Sequence, residues 1–372
     1  MDQKDLKYAL ALSMVPGIGC IRGKSLITFF GSAENVFREL PGCAEARQSL
    51  KDLFGMWARN KELWKRTEDE LRFIEKYKLK VLFFEDEDYP RRLSDCYDSP
   101  VFIFYKGNAD LNTSKVIGIV GTRSATDYGK GVTRDLVAGL TGEEPLIVSG
   151  LAYGIDSQAH RAALDFGLST VGVLGHGLDR IYPMNNKTMA EKMIGQGGLA
   201  TEFFSRTEPD RENFPMRNRI LAGLCDAIVV VEAALEGGAL ITADIAWSYG
   251  RGVFVVPGRV SDTFSGGCNL LAKIKKAETI RNADDLIYEM GWKDREKPAP
   301  QAPPKLFIPL SEDEEKVVEI LRSTGDLTID EISRKSELPV NRIAVALLTL
   351  ELENVVRSKP GKLYSLSHSR VR

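Results

Sequence analysis

The sequence is poor in cysteine and lacks long apolar runs. Its 372 residues include five cysteines, none in a CxxC pair, which disfavours both a disulfide framework and a zinc site. No run of about eighteen apolar residues occurs, so the sequence predicts no membrane-spanning helix. The first residues carry an acid at position 2 and no small-residue cleavage site, which argues against a signal peptide. We therefore expect a cytoplasmic protein.

The sequence also lacks an excess of positive charge and any evident set of catalytic residues. Its formal net charge is −2, whereas nucleic-acid-binding proteins are usually basic. Binding to nucleic acid would therefore depend on a few arginines placed at backbone loops and helix N-termini. Paired carboxylates, a metal-ligand cluster and a Ser/His/Asp order do not stand out. We expect a protein that binds without catalysis and that holds no cofactor or metal.

Composition divides the chain into three predicted domains and a linker. Residues 1–78 are predicted to be helical, with a helix-hairpin-helix (SAM-like) arrangement around the Pro16-Gly17-Ile18-Gly19 turn. This turn either directs backbone N–H groups at a phosphate or only permits a tight bend. Residues 293–309, rich in proline and alanine, are predicted to be an extended linker between the second domain, 79–292, and the third, 310–372.

The second domain has the pattern of an α/β fold. Short apolar runs, many of them β-branched, alternate with helical stretches. The runs are 81–84, 101–105, 116–121, 146–150, 170–175, 227–233 and 253–258. They predict a parallel sheet covered by helices on both faces, which is an extended Rossmann-like, doubly wound domain. Ligands of such sheets bind at the carboxyl ends of the strands, where several of these runs end in glycine.

The third domain has the pattern of a winged helix. Three helical stretches are followed by alternating residues that predict a hairpin with a Pro-Gly turn at 360–361. Acidic and basic residues are nearly balanced in this domain, although a winged helix that binds a duplex should be clearly positive. We therefore expect it to contact a protein or to bind DNA only weakly.

One strand end carries a phosphate-binding pattern. In the stretch 117–130, Gly121, Thr122 and Arg123 follow a strand, and we place Thr122 and Arg123 at the start of the next helix. Free N–H groups and the helix dipole attract an anion there, and Arg123 adds a forked, charge-assisted contact. The stretch lacks a full GxGxxG and the acid of a dinucleotide site. It therefore predicts a phosphate or phosphodiester site rather than an NAD site.

The next strand ends contribute aromatic and polar residues. Tyr182 and Asn185 lie in a turn after the strand at 170–175, where Tyr182 is either a base-stacking platform or a packing lid. Asp156 is predicted to be the N-cap of the helix that contains His160. We interpret His160 as a core histidine, because no nucleophile is placed to work with it.

The stretch 213–233 combines an aromatic residue with arginines. Phe214 could stack on a base, and Arg217, Asn218 and Arg219 are predicted to open a helix suited to a phosphodiester. The alternative is that both arginines pair with local acids, such as Glu202, Glu208 or Asp210. Two glycine-rich loops follow, with Gly237 and Gly238 at a helix start and Asn269 as a polar group. So many loops at one sheet edge indicate a path of phosphates.

These stretches, in this order, resemble the DNA-processing protein A (DprA/Smf) family. The matching stretches are GTR (121–123), VSGLAYGIDSQAH (148–160), VLGHGLDRIYP with the asparagine two residues on (173–185), FPMRNRILAGL (214–224), VVVEA (229–233), GALITA (238–243) and PG followed by GGCNLL (257–271). The resemblance implies single-stranded DNA binding, dimerisation through the Rossmann-like domain and loading of a RecA-type recombinase, in natural transformation or recombination. By position, it implies that Gly121, Thr122 and Arg123 form the main phosphate pocket, supported by Arg217, Asn218 and Arg219.

The chain departs from the family pattern at several positions. Tyr153 replaces an arginine that is common in the family, Gly237-Gly238 replaces the serine that usually precedes GSL, and 273–279 differs from the usual GA. Two other functions are compatible with the sequence. One is a nucleotide-monophosphate enzyme like the lysine-decarboxylase-like phosphoribohydrolases, although their PGGxGT loop is LEGGALITAD here. The other is a sequence-specific regulator that acts through its winged helix, which the charge balance disfavours.

Overall fold

The computed structural model describes residues 3–44, 46–293, 310–353, 355–359 and 363–366. The described residues form two compact units, one before and one after the predicted linker. The linker predicted at 293–309 lies outside the described residues except for Lys293.

The chain begins with five α-helices among the described residues, as the sequence predicts. They are α1 (Gln3–Ser13), α2 (Cys20–Phe30), α3 (Ala33–Glu39), α4 (Gln48–Trp57) and α5 (Lys61–Tyr77). Gly17 has φ of +82°, which suits glycine, at the turn between α1 and α2. The helices bury apolar side chains such as Leu12 and Phe54 in one core together with Phe102 and Phe104 of the sheet. The helical region is therefore packed directly on the α/β region.

The central sheet contains nine strands of the described chain. They are β1 (Lys80–Phe83), β2 (Phe102–Gly107), β3 (Val116–Val120), β4 (Leu146–Ser149), β5 (Thr170–Val173), β6 (Gly197–Thr201), β7 (Ala227–Val230), β8 (Gly252–Val255) and β9 (Glu278–Thr279). Their order is β1-β2-β6-β5-β4-β3-β7-β8-β9. The strands from β6 to β9 in this order are parallel, while β2 pairs antiparallel with both β1 and β6.

Helices cover both faces of this sheet, so the predicted Rossmann-like, doubly wound fold is confirmed. They are α6 (Arg91–Ser94), α7 (Asp127–Gly139), α8 (Ile155–Asp165), α9 (Lys187–Gly195), α10 (Asn213–Leu224), α11 (Gly238–Ser248), α12 (Gly266–Lys273) and α13 (Ala283–Glu289). Alternate residues of the strands feed two cores: Ile117 and Ile119 face α7 and α8, whereas Val116 and Val120 face α10 and α11.

Three predicted helix starts were wrong. The helix α10 begins at Asn213 and includes Phe214 and Pro215, so it does not open at Arg217. Thr126, not Thr122 or Arg123, caps α7, because its side chain accepts the N–H of Gly129. Thr122 and Arg123 therefore lie in the loop before the helix. Asp156 lies in the first turn of α8, and the N-cap residue is Gly154 with φ of +78°.

The second unit has the predicted winged-helix architecture. It contains α14 (Glu312–Thr324), β10 (Leu327–Thr328), α15 (Ile329–Ser336), α16 (Val340–Leu352), β11 (Val356–Lys359) and β12 (Leu363–Leu366). Capping boxes at Ser311 and Thr328 begin α14 and α15. The three-stranded sheet has the order β10-β12-β11, and the turn predicted at 360–361 lies outside the described residues.

Candidate nucleic-acid interface

The cavity lined by Gly121, Thr122 and Arg123, here named the main cavity, lies where the direction of the sheet connections reverses. From β3 the chain continues to β4 on one side, while β7 lies on the other side of β3. Ligands of doubly wound sheets bind at such a switch point, outside the carboxyl ends of the strands. A cavity of about 330 Å³ occupies this position and is lined by the loops after β3 and β7 and by residues of α10 and α11.

The loop after β3 is fixed by close backbone packing. The Thr122 N–H donates to the Glu232 carbonyl at 2.7 Å, and the Thr122 carbonyl accepts the Ile155 N–H at 3.2 Å. A Cβ on Gly121 would lie 2.5 Å from Ile155 and 2.9 Å from the Glu232 carbonyl. Only glycine fits at this position, so the β3 loop, the β7 loop and the start of α8 meet at one point.

The Glu232 carboxylate also holds the loop after β3, through hydrogen bonds to Thr126. It accepts the Thr126 N–H at 3.0 Å and the Thr126 hydroxyl at 2.5 Å. Glu232 is buried, so these bonds satisfy a carboxylate that would otherwise be costly to bury. The glutamate of the VVVEA stretch is therefore a structural residue that positions the loop after β3.

Arg123 extends from this loop over an aromatic ring. Its guanidinium carbon lies 5.1 Å from the centroid of the Phe214 ring, at the start of α10. The Arg123 side chain is exposed, and among the described residues it makes no ion pair. It therefore supplies an uncompensated positive charge at the mouth of the cavity.

The start of α11 forms the opposite wall of the cavity. Gly237 is the N-cap residue, with φ of +155°, and α11 begins at Gly238. No side chain caps this helix, so its first N–H groups are available to an anion in the cavity. Asn218 from α10 lines the same cavity and donates to the Gly238 carbonyl at 3.4 Å.

Arg217 supports the cavity from inside the protein. Its guanidinium donates to the carbonyls of Gly150 and Val173 at 2.6 and 2.8 Å, and also to the Asn218 side chain. Burial lowers the pKa of Arg217, and the nearby Asp156 carboxylate opposes this change. Burial raises the pKa of Asp156, and Arg217 opposes this. Arg217 thus ties the ends of β4 and β5 to α10, in addition to lining the cavity.

The structure does not bring Arg219 to this cavity. Arg219 forms an ion pair with Glu202 and donates to the Asp98 carbonyl, on the side of α10 that faces the helical region. It lines a separate cavity of about 480 Å³ that includes Gly19 and Cys20. The pairing with Glu202, which the sequence left open as an alternative, is the arrangement present in the structure.

An aromatic cleft adjoins the main cavity. Arg123, Ala152 and Phe214 line both spaces, and Tyr153 and Tyr182 complete the walls of the cleft. The Tyr182 and Phe214 rings have centroids 6.5 Å apart and planes tilted by 36°. Tyr153 and Tyr182 are each 46% exposed, so both rings can be reached by a ligand.

Two other residues predicted to bind DNA, Asn185 and Asn269, line neither the main cavity nor the aromatic cleft. Asn185 is exposed and does not line the main cavity or the aromatic cleft, whereas its neighbour Asn186 is buried and donates to the Leu151 carbonyl at 2.8 Å. Asn269 binds both backbone groups of Gly258, at 3.1 and 3.4 Å. Asn269 therefore positions the loop after β8.

His160 lies in the core, as expected. Its Nδ1 atom is 2.7 Å from the Thr170 hydroxyl, whose proton is donated to the Ile147 carbonyl at 2.9 Å. Nδ1 must therefore carry the imidazole proton, and burial lowers the pKa of His160 to about 3.

Within the described ranges, no group of three or more His, Cys, Asp or Glu residues could hold a metal ion. None of the helices in these ranges has the length and apolar character needed to cross a membrane.

Sequence reasoning missed Tyr153 and Thr126 as residues of the site. In the sequence, Tyr153 stands out only because it replaces an arginine that is common in the family, yet its ring lines the aromatic cleft together with Tyr182 and Phe214. The aromatic character of Tyr153 was the available signal. Thr126 gave the usual signal of a helix cap, a threonine just before a helical stretch, but its bond to Glu232 links two distant loops and has no local pattern.

Comparison with known proteins gives a consistent result for both units. Residues 80–291 match the model of the family described as DNA recombination-mediator protein A, and residues 296–362 match the DprA winged helix domain. The chain is 31% identical over 401 residues to Protein Smf of Synechocystis, covering 98% of this chain and 99% of that protein.

Two solved structures are also similar. DNA processing protein A from Streptococcus pneumoniae has a TM-score of 0.63 and 33% identity, covering 78% of this chain and 99% of that one. DNA processing protein A from Helicobacter pylori, described for its single-stranded DNA binding mode, has a TM-score of 0.52 and 29% identity. That match covers 57% of this chain and 95% of that one.

Proposed function

This chain belongs to the DNA recombination-mediator protein A family, and we propose that it binds single-stranded DNA and loads a RecA-type recombinase onto it. The binding is non-catalytic in this proposal and needs no cofactor. The strands would be those that enter the cell during natural transformation or that become exposed during recombination in the cytoplasm.

The observation that carries the proposal is the position of Arg123. Its charge is not neutralised by an ion pair among the described residues. It lines the same cavity as the uncapped start of α11 and lies over the Phe214 ring. A phosphate in the cavity would contact Arg123 and the N–H groups near Gly238, while the attached base could reach Phe214 or Tyr182. This combination of charge and stacking surface is typical of single-strand binding.

The neighbouring aromatic cleft supports a strand rather than a single nucleotide. The cleft and the cavity share Arg123 and Phe214, so a ligand can extend from one to the other without leaving the protein surface. Duplex bases face each other inside the helix and cannot stack on these rings. We therefore expect a clear preference for single strands over duplexes.

The experiment is a competition for a fluorescent oligothymidine. Unlabelled single strands should displace it at concentrations at least tenfold lower than a duplex of the same length. Equal displacement by the duplex would contradict the proposed preference. Displacement by nucleoside monophosphates, followed by their turnover, would instead favour the enzymatic alternative.

Homodimerisation through the Rossmann-like domain is part of the proposal. Large apolar side chains are exposed at one end of the sheet, including Trp247 of α11 at 53% and Ile274, which directly follows α12, at 49%. Exposed apolar surface of this kind is typical of protein interfaces. We expect light scattering to give the mass of a dimer, and Ile274→Glu to give that of a monomer. A monomeric wild-type chain would contradict the proposed dimer.

The winged helix supports a role in contacting a protein. The side chains of Val345, Leu348 and Leu352 lie on one face of α16 and are 66%, 60% and 76% exposed. An apolar face is poorly suited to a DNA groove, where basic and polar side chains contact phosphates and base edges. This face is a candidate contact for the recombinase.

Recombinase loading has its own test. On single strands coated with a single-strand-binding protein, the chain should shorten the lag of recombinase ATP hydrolysis. Leu348→Glu should restore part of the lag without weakening oligothymidine binding. An unchanged lag with wild-type protein would contradict the loading activity while leaving single-strand binding intact.

A further inference from the structure

A second open cleft lies at the same edge of the sheet, beyond Phe264. It has a volume of about 860 Å³ and is formed by the loop after β8 and the first turn of α7. The loop after β8 belongs to the stretch 257–271 that carries part of the family resemblance, but none of residues 257–265 is among the predicted DNA-binding residues. Its residues are Thr126, Tyr128, Glu232, Pro257, Gly258, Arg259, Ser261, Asp262, Thr263, Phe264 and Ser265.

This cleft adjoins the main cavity at Phe264. Phe264 lines both spaces, and its carbonyl accepts the Ala233 N–H at 2.7 Å. The Ala233 carbonyl in turn accepts the Gly267 N–H at 2.9 Å. The loop after β8 is therefore fixed to the end of β7, and Asn269 holds it again at Gly258. The residue that the two spaces share, Phe264, therefore lies on an anchored backbone.

The side chains of the second cleft resemble those of the first. Tyr128 is 57% exposed on the first turn of α7 and offers a free aromatic face. Arg259 is exposed and, within the described chain, has no acidic partner. The Glu232 carboxylate is already bonded to Thr126, which leaves Asp262 as the exposed acid of the cleft.

We propose that the single strand continues from the main cavity across Phe264 and that Tyr128 and Arg259 form a second nucleotide subsite. Tyr128 stacks on a base and Arg259 contacts the adjoining phosphate, whereas Asp262 weakens binding by repulsion. This inference rests on the proposed function, because it extends the same DNA path. It adds a subsite on the side of the cavity opposite to Tyr182.

The test uses oligothymidines of increasing length with the full chain. A strand long enough to reach only the main cavity should bind the wild type and Arg259→Ala equally well. Longer strands should bind Arg259→Ala about fivefold to tenfold more weakly than the wild type. The slope of their affinity against salt concentration should fall by roughly the amount expected for one phosphate contact. Arg161→Ala is the matched control, because Arg161 is exposed on α8 and lines neither space.

Three further substitutions, at Tyr128 and Asp262, examine the stacking and the repulsion. Tyr128→Ala should weaken binding of long strands at least fivefold, while Tyr128→Phe should keep it, because the ring is retained. Asp262→Asn should strengthen binding of long strands and leave short strands unchanged. Since all three side chains are exposed, these variants should fold normally.

The outcomes separate this inference from the proposed function. If long and short strands lose affinity equally in Arg259→Ala, or if Arg259→Ala and Asp262→Asn match the wild type at every length, the second subsite does not exist. Binding of oligothymidine by the wild type would remain in either case. Absence of wild-type binding at every length would overturn both proposals together.

Discussion

The guanidinium of Arg123 lies 5.1 Å from the centre of the Phe214 ring, which joins the loop after β3 to the start of α10. These residues are 91 positions apart in the chain, yet they form one surface with a charged and an aromatic part. A guanidinium over a ring is held in place without losing its ability to bind a phosphate. The pair therefore presents the two groups that a nucleotide needs in a fixed relative position.

Substitution of Phe214 should weaken binding without altering the number of phosphates contacted. We expect Phe214→Ala to lose about 1–3 kcal/mol of oligothymidine binding free energy, because one base loses its stacking partner. The slope of affinity against salt should stay as in the wild type. Phe214→Tyr, which keeps the ring, is the control. A loss that appears only as a changed salt slope would argue against stacking.

Gly121 should not tolerate a side chain. In Gly121→Ala, the new Cβ would lie 2.5 Å from Ile155 and 2.9 Å from the Glu232 carbonyl, so the loop or α8 must move. We expect a loss of stability of about 1–3 kcal/mol together with weaker oligothymidine binding. Thermal unfolding and a binding titration measure the two effects.

The matched control for this substitution is Gly131→Ala. Gly131 is exposed within α7, and a Cβ there would have no atom within 4 Å. Alanine favours helices over glycine by roughly 1 kcal/mol, so this variant should be at least as stable as the wild type. Equal behaviour of the two variants would contradict the close packing described for the β3 loop.

Arg219 should matter for stability rather than for DNA. Burial raises the pKa of Glu202, and Arg219 opposes this change. Arg219→Ala would leave Glu202 without its partner, which should cost about 3 kcal/mol in the free energy of unfolding. Adding Glu202→Gln should recover part of that loss. Oligothymidine affinity should match the wild type, and a large drop in affinity of the folded variant would return Arg219 to the DNA path.

His160 should make the fold less stable in mild acid. Its pKa falls from 6.5 to about 3 on folding, so the unfolded chain binds a proton between these values and the folded chain does not. Stability therefore decreases as pH falls below about 6.5, by roughly 2 kcal/mol between pH 7 and pH 5. Denaturant titrations at the two pH values measure the loss.

The same titrations on His160→Phe isolate the contribution of this residue. The buried carboxyls Asp156 and Glu202 have raised pKa values, so they act in the opposite direction in both proteins. The stability that the wild type loses between pH 7 and pH 5 because of His160 should therefore be absent in the variant. An unchanged pH dependence in His160→Phe would mean that His160 does not stay neutral in the fold.

Much of the fold could be predicted because its signals are local. Apolar runs that end in glycine identified the strands near β3, β4, β5 and β8, and the helical spacing before residue 78 identified the first helices. The strand β6 was missed, since its sequence, Gly-Gly-Leu-Ala-Thr, has no apolar run. The short β9 gave no signal either, because an edge strand of two residues depends on its neighbour for definition.

The site was harder to predict because side-chain direction depends on packing. Arg217 and Arg219 are both in α10, but residues two apart on a helix point to different faces. The helical spacing alone could have shown that both could not enter one groove. In contrast, the switch point between β3 and β7 depends on the strand order, which no local pattern contains. The strand order therefore brings Arg123 and Phe214 together.

The most direct test of the account is the affinity for a fluorescent oligothymidine at two salt concentrations, for the wild type and Arg123→Ala. The account predicts tight, salt-sensitive binding by the wild type, at least tenfold weaker binding by the variant, and a smaller salt dependence in the variant. Equal binding by both proteins would remove the cavity at the switch point from the DNA path. No binding by the wild type would contradict the proposed function itself.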